Sequence, residues 1–512
     1  MPRPEARPKT VDEADGPTAC SCLWGRARLF SLASILIVPA APAAEIDPPF
    51  PLGVVVERVM CAADRGQTYA LFLPSTYRPH RRWPVLYAFD PLARGPVPTR
   101  LFSHAAERLG VVVVGSNKSR NGPFPPVRAA MEAVWRDSHE RFALDPERVY
   151  TTGRSGATFP ALLLGASQGA GVISCAGPLD TTHIPTGELR FTWIGIAGDA
   201  DFNFEPTRNL VDALVARGVV ARFATFPGGH GWPPEDLLGR ALEWLELASM
   251  RTGKMATDPA FVEAAYEQGV ARARELAEKG RFDDAAEENA TLAREFVGLR
   301  SVDACVSEAK RLSATPEATG NREQRRVLAE RERTEGGELS ALRHKIEEGA
   351  TWRPRGSVKV SEMTQYHEDL DAARNALHRR LDKLARDMAS ATEPTGRILA
   401  QRLLDSFWVE TYYVGREQRD AKRFDAAEVD FDLCARIRPK SATPAYEMAR
   451  THAAQGDRKK AFADLHEAMA LGFADASRLA EDPEWAAMRD RPEYQAAVQE
   501  LRAAGGPPPA PR

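Results

Sequence analysis

Residues 148–157 read Arg148-Val149-Tyr150-Thr151-Thr152-Gly153-Arg154-Ser155-Gly156-Ala157. The β-branched and aromatic run Val149–Thr152 favours a strand. A serine follows it, set among Gly153, Gly156 and Ala157. A strand that runs into Gly-x-Ser-x-small and then into a helix is a nucleophile elbow: the serine stands on a sharp turn with its hydroxyl exposed, and its neighbours are small because the turn is too tight for larger side chains. Alone, the pentapeptide is a common string. Its weight depends on an acid and a histidine following in the order Ser, Asp, His, each just past a strand.

Both follow in that order. Phe191-Thr192-Trp193-Ile194-Gly195-Ile196-Ala197 is the near-continuous apolar run of a strand buried on both faces, and it ends in Gly198-Asp199-Ala200-Asp201. Val220–Phe226 is a further strand, ending in Pro227-Gly228-Gly229-His230-Gly231-Trp232. A histidine between glycines at a strand end sits on a loop that permits close approach.

These motifs carry a resemblance. Residues 50–250 resemble the α/β-hydrolase superfamily, most closely the compact esterases grouped with polyhydroxybutyrate depolymerases, feruloyl esterases and dienelactone hydrolases. The family acid often occupies a Gly-x-x-Asp turn after the penultimate strand, which selects Asp201. Asp199 is the close alternative, and Asp180, in Gly177-Pro178-Leu179-Asp180, stands where some members carry the acid. Ala157 departs from the usual glycine but leaves the turn sterically open.

The resemblance implies acyl transfer. His230 takes the Ser155 proton as general base and returns it to the leaving alcohol, while Asp201 holds the imidazole in one tautomer. An oxyanion hole needs two donors, each contributing about 3–4 kcal/mol in the transition state. One is the N–H of Gly156. The other comes from the loop after strand Pro84–Phe89. A His-Gly motif usually stands there, but this chain has Phe89-Asp90-Pro91-Leu92-Ala93-Arg94-Gly95. Pro91 has no N–H, so Leu92 is the expected donor, with Asp90 as the other option. Asp90 beside an oxyanion is unfavourable unless it turns away or pairs with Arg94.

The chain has 512 residues, 27% of them charged, and a net charge of −3. That length accommodates two or three domains, and mixed charge of this kind recommends no nucleic-acid partner. No metal or cofactor is implied. Residues 1–44 hold a basic flank (Gly25-Arg26-Ala27-Arg28), a short apolar core (Leu29–Val38) and an Ala-x-Ala cleavage site within Ala41-Pro42-Ala43-Ala44. That is a secretory signal peptide, too short for a membrane span of about 20 residues. The expected location is therefore secreted or periplasmic. The alternative is an uncleaved N-terminal anchor, because the polar segment before the apolar run is long. Cys61, Cys175, Cys305 and Cys434 are dispersed and suit neither zinc nor a redox pair; buried thiols are the expectation.

From Val54 to Phe226 strands alternate with helical stretches: Val54–Val59, Thr68–Leu73, Pro84–Phe89, Val111–Gly115, Val149–Thr152, Val172–Ala176, Thr192–Ala197 and Val220–Phe226. This predicts a mostly parallel, doubly wound α/β sheet. Ser155 and Asp201 are 46 positions apart, which leaves no room for a lid domain and counts against an interfacially activated lipase.

Near residue 250 the strands stop. Gly280-Arg281-Phe282-Asp283-Asp284-Ala285 and Lys422-Arg423-Phe424-Asp425-Ala426-Ala427 resemble turns of tetratricopeptide repeats, and Ala427 and Ala461 are one 34-residue period apart. Residues 256–400 are expected to be helical with a degenerate repeat, 405–503 to be tetratricopeptide-like, and 504–512 to be a disordered tail. Such arrays present a concave face to proteins or peptides. Two functional classes follow. One is a secreted serine esterase acting on an ester substrate, with a repeat module for protein contacts. The other is a repeat-based interaction protein whose hydrolase half is inactive. A small serine peptidase on the same fold would share every catalytic residue.

Overall fold

The alternation of apolar residues along each strand decides which layer covers which face of the sheet. In the computed structural model the described residues are 50–504, except 169–170, 185, 188, 353–359 and 391–393. The expected signal peptide and the C-terminal tail lie outside them. In chain order the first part contains β1 (Val55–Met60), β2 (Thr68–Phe72), β3 (Trp83–Phe89), α1 (Pro96–Leu109), β4 (Val112–Ser116), α2 (Phe124–Arg141), β5 (Leu144–Arg154), α3 (Thr158–Gln168), β6 (Gly171–Cys175), β7 (Thr192–Gly198), α4 (Phe204–Ala216), β8 (Ala221–Phe226) and α5 (Glu235–Arg251). The sheet order is β1-β2-β4-β3-β5-β6-β7-β8. β2 runs antiparallel to both β1 and β4, and every other neighbour pair is parallel.

Val85, Tyr87, Val112, Val114, Val172 and Trp193 point to the layer formed by α2, α3 and α4. The residues between them, Leu86, Val113, Ile173 and Ile194, point to α1 and α5. This is the period of two that puts successive side chains on opposite faces. It confirms the doubly wound, mostly parallel sheet, and each of the eight expected strands is present. β5 is longer than the expected Val149–Thr152. It begins at Leu144, which pairs with Trp83, and a register irregularity before Val149 accommodates Pro146, since a proline cannot donate to a ladder.

The remainder is helical: α6 (Pro259–Glu278), α7 (Phe282–Phe296), α8 (Asp303–Ser313), α9 (Pro316–Thr351), α10 (Val360–Ala389), α11 (Pro394–Asp420), α12 (Phe424–Ile437), α13 (Ala442–Gln455), α14 (Arg458–Ala470), α15 (Ala476–Glu481) and α16 (Pro492–Ala504). The described residues form two compact units, 50–346 with 360–407, and 347–352 with 408–504.

In the first unit the sheet does not end in bare solvent. Arg222 of β8 is buried and pairs with Glu288 and Glu295 of α7, at 2.6 Å in each case. Leu247 and Met250 of α5 pack with Val262, Leu292 and Phe296. The second unit has its own core, which includes Tyr446, Phe462, Leu465, Trp485 and Tyr494. Ala427, Phe431 and Ala461 are all fully buried. No helix among the described residues is long and apolar enough to cross a membrane. The four cysteines named above are free, buried thiols.

Candidate active site

β5 delivers Ser155 directly into a short 3-10 turn, Ser155–Ala157, that leads into α3. Ser155 has φ 53°, a left-handed conformation costing a non-glycine residue roughly 1–3 kcal/mol. The chain doubles back so closely that a Cβ on Gly153 would collide with the Ala157 carbonyl. Two hydroxyls brace the turn: Thr158 Oγ1 donates to the Gly153 carbonyl at 3.0 Å, and Thr151 Oγ1 to that of Ala161 at 2.8 Å.

The ends of β7 and β8 bring Asp201 and His230 together. His230 Nδ1 lies 3.0 and 3.1 Å from the two carboxylate oxygens of Asp201. Asp201 is fully buried, and the His230 side chain is 19% exposed. The Asn203 N–H donates to Asp201 Oδ1 at 2.8 Å, and Asn203 Nδ2 donates to the Ala176 carbonyl at 2.9 Å. The Phe202 ring lies 4.4 Å from the imidazole, centre to centre.

Asp199, two residues earlier, faces elsewhere. Its Oδ1 accepts the Gly228 N–H at 2.9 Å and its own N–H donates to the Phe226 carbonyl at 2.9 Å, so it fastens the start of the histidine loop. Asp180 caps a short turn and contacts His183 at 3.0 Å. Of the three candidate acids, Asp201 is the one that meets His230. Among the described residues no hydrogen bond joins the Ser155 hydroxyl to the imidazole; such bonds are often long before substrate binds.

The loop after β3 corrects the expectation for Leu92. Its N–H donates to Asp90 Oδ1 at 2.9 Å, and the next N–H, of Ala93, donates to the Asp90 carbonyl at 2.9 Å. With Pro91 lacking an N–H, the turn closes on itself and leaves no donor at positions 91–93 for an oxyanion. Asp90 is fully buried and pairs with Arg94 at 3.0 and 3.1 Å. Trp232 Nε1 donates to it at 2.9 Å, which ties the histidine loop to this one. Burial alone would raise the Asp90 carboxyl, but the bonds from Arg94, Trp232 and Leu92 outweigh it and hold the group below the usual carboxylate range.

A side-chain amide stands nearby. Asn121, whose N–H donates to the Pro91 carbonyl at 2.8 Å, rests its side-chain amide on Gly156. A Cβ on Gly156 would lie 2.6 Å from Nδ2 and 2.8 Å from Oδ1 of Asn121. Asn121 lies in a polar Ser119-Arg120-Asn121-Gly122-Pro123 loop that no local pattern singles out. Trp232 could have been noticed as the aromatic closing the Gly-Gly-His-Gly motif.

The sequence also gives no hint of α11's role. Arg402 is buried. Its Nε donates to the Asp199 carbonyl at 2.8 Å, and its Nη1 reaches Glu332 at 3.0 Å and Glu205 at 3.4 Å. The guanidinium covers the Phe204 ring at 4.1 Å. Gln401 lies against Gly229. Burial pushes the Glu332 carboxyl upward against the pull of Arg402. The turns carrying Asp201 and His230 are thus walled by residues more than 170 positions later in the chain.

A surface recess of about 590 Å³, lined by residues of α1 and α5 such as His104, Arg108, Asp236 and Glu243, shares no residue with this site. Its charged, open walls offer no chemistry comparable to the Ser155 turn. No group of three or more His, Cys, Asp or Glu side chains among the described residues is placed to hold a metal.

The chain matches no known family profile and no curated protein sequence. Similar solved structures include a ferulic acid esterase, 16% identical, covering 38% of this chain and 97% of that one, with a TM-score of 0.33. A fluorophosphonate-binding serine hydrolase of Staphylococcus aureus, FphF, is 14% identical over 35% of this chain and 92% of its own, with a TM-score of 0.30. A thermophilic esterase of Thermogutta terrifontis, solved with butyrate, is 18% identical over 38% of this chain and 91% of its own, also with a TM-score of 0.30.

Proposed function

We propose that the chain is a serine-dependent carboxylic ester hydrolase. The observation that carries this reading is the strained Ser155 at the C-terminal end of β5, together with a histidine–carboxylate pair carried by the turns after the parallel strands β7 and β8. In this reading Ser155 attacks the ester carbonyl. His230 Nε2 accepts the serine proton, while the hydrogen bond from Nδ1 to Asp201 fixes the tautomer and stabilises the imidazolium. The proton then passes to the departing alcohol, leaving an acyl-enzyme that water, activated by the same histidine, hydrolyses.

The oxyanion is held by the Gly156 N–H and by the Asn121 side-chain amide in place of a backbone donor after β3. A neutral amide fits a developing negative charge; Asp90, ionised and saturated with donors, does not.

The spent donors at 91–93 favour the alternative, a hydrolase half that binds without turnover. One experiment separates the two readings. The folded wild type should be labelled by a fluorophosphonate probe and Ser155→Ala should not; an unlabelled wild type would sink the esterase reading. Asn121→Ala should keep its fold and lose about 10²–10³-fold in kcat on p-nitrophenyl esters. An unchanged rate would remove Asn121 from the oxyanion hole.

A further inference from the structure

Arg154, the residue just before the nucleophile, carries a charge that its surroundings do not neutralise. It ends β5 opposite Cys175 of β6. Its Nε is buried without a hydrogen-bond partner, and among the described residues its guanidinium makes neither a hydrogen bond nor an ion pair. Burial depresses its basicity, and the charges it feels include those of Asp90, Arg94 and Asp201. Because β5 lies between β3 and β6, this last residue of the strand stands next to the end of β3 and immediately before Ser155.

Neither nearby carboxylate is free to serve it. Asp90 is taken by Arg94, Trp232 and the Leu92 N–H, and Asp201 by His230 and the Asn203 N–H. Three more deeply buried arginines are neutralised, Arg222 by Glu288 and Glu295, Arg402 by Glu332, and Arg450 by Glu447 and Glu484, whereas Arg251, far from the site in sequence, has an unpartnered Nε as Arg154 does. A half-buried cation with no counter-ion is unfavourable in the folded protein, and a guanidinium is built to receive a planar carboxylate through two parallel hydrogen bonds.

Building on the esterase reading, we propose that Arg154 binds a carboxylate of the substrate, so that the enzyme acts on esters bearing an anionic group near the scissile bond, such as monoesters of dicarboxylic acids. The guanidinium then positions the acyl group over Ser155, and the substrate supplies the counter-charge that the protein withholds. Neutral esters of equal length leave the cation unpaired and bind more weakly.

The test uses the full chain and matched p-nitrophenyl esters: the monoesters of succinate, glutarate and adipate against the neutral esters of the same chain length. The wild type should prefer at least one monoester through a lower KM. Arg154→Met should raise the KM for that monoester by roughly tenfold or more, with a much smaller change on its neutral counterpart, and Arg154→Lys should fall between. Arg154→Met should also raise Tm slightly, because it removes a half-buried charge with no counter-ion; a structural role predicts a lower Tm and equal losses on both substrates. A wild type without preference, or equal losses in the variant, overturns the proposal. Binding is read separately by calorimetry of monomethyl glutarate with Ser155→Ala. Heat that Ser155→Ala/Arg154→Met no longer gives supports the proposal even if no ester is turned over, and no heat with Ser155→Ala overturns it. Failure of the esterase reading appears instead as a wild type that neither reacts with fluorophosphonate nor hydrolyses any ester.

Discussion

The surroundings of Ser155 and the terminal helical unit bury charge in opposite ways. Around Glu447 in α13 the charges close on one another. Its carboxylate meets Arg419, Arg450 at 3.0 Å and Arg478 at 2.5 Å, and those arginines reach on to Asp482 and Glu484. Around Ser155 the groups are left open. Arg154 has no counter-ion, Asp201 is held by one imidazole and one N–H, and Ser155 sits in a strained conformation. A closed ion network can only hold structure. An open arrangement costs stability and is retained where a reacting molecule completes it.

The sharpest way to break this contrast lies within the site. Asp201→Asn should lower kcat/KM on a p-nitrophenyl ester by about 10⁴-fold, because the histidine loses its tautomer control. Asp199→Asn should cost far less, since Asp199 fastens the Gly228 N–H and does not touch the imidazole. Equal losses would mean that both aspartates act through loop structure, and the open site would be no different from the closed network.

That pair also marks how far the sequence could be read. The apolar strands are legible because burial on both faces demands near-continuous Val, Ile and aromatic runs, and the Ser155 elbow is legible because its turn needs small residues in a row. Asp199 and Asp201 could be ranked only by resemblance, since both lie in one tight turn and a difference of two residues decides which one faces the β8 loop. The engagement of the Leu92 N–H is not legible, because its bond to the side chain of Asp90 is a local one that composition does not reveal. Arg402 and Gln401 were invisible because their partners are far away in sequence, and a helical heptad containing them looks like any other amphipathic stretch. In the second unit Ala427 and Ala461 were legible from their spacing, whereas the Glu447 network needs three arginines from three different helices or turns.

The closed network should yield a smaller but still large effect. Glu447→Gln leaves its arginines facing one another and should destabilise the terminal unit by about 3–5 kcal/mol. Hydrogen exchange of amides in α13 and α14 would measure it, and a loss below about 1 kcal/mol would show that the network is dispensable. The same group gives this unit an acid transition. Burial opposes ionisation of Glu447, but Arg450, Arg419 and Arg478 outweigh it and bring its carboxyl down to about 2. A depressed folded-state value means that the stabilisation is fully present above the unfolded value of about 4.3 and is lost as pH falls from there through about 2. Over that window the wild type should lose on the order of 3 kcal/mol, and Glu447→Gln should show a flatter profile.

The smallest effect concerns the turns that join helices in the repeat-like segments. Gly280, Lys422 and Gly456 each stand two residues before a helix and all have positive φ, at 74°, 60° and 87°. Each ends the preceding helix in the same way. The N–H of that residue donates to the carbonyl three positions back, and the next N–H to one five positions before itself: Lys422 to Arg419 and Arg423 to Gln418, Gly456 to Ala453 and Asp457 to His452, Gly280 to Ala277 and Arg281 to Leu276. This is the left-handed helix stop that glycine fills without strain. A lysine there pays about 1–2 kcal/mol for its Cβ, while glycine would cost about 0.4–1 kcal/mol through the greater freedom of the unfolded chain. The strain is the larger of the two, so Lys422→Gly should stabilise the terminal unit by roughly 0.5–1 kcal/mol, seen as a modest rise in its urea midpoint, and Gly456→Lys should lower it by a similar amount. If Lys422→Gly instead destabilises, the lysine side chain makes a contact that matters more than its backbone strain, and the equivalence of the three turns fails.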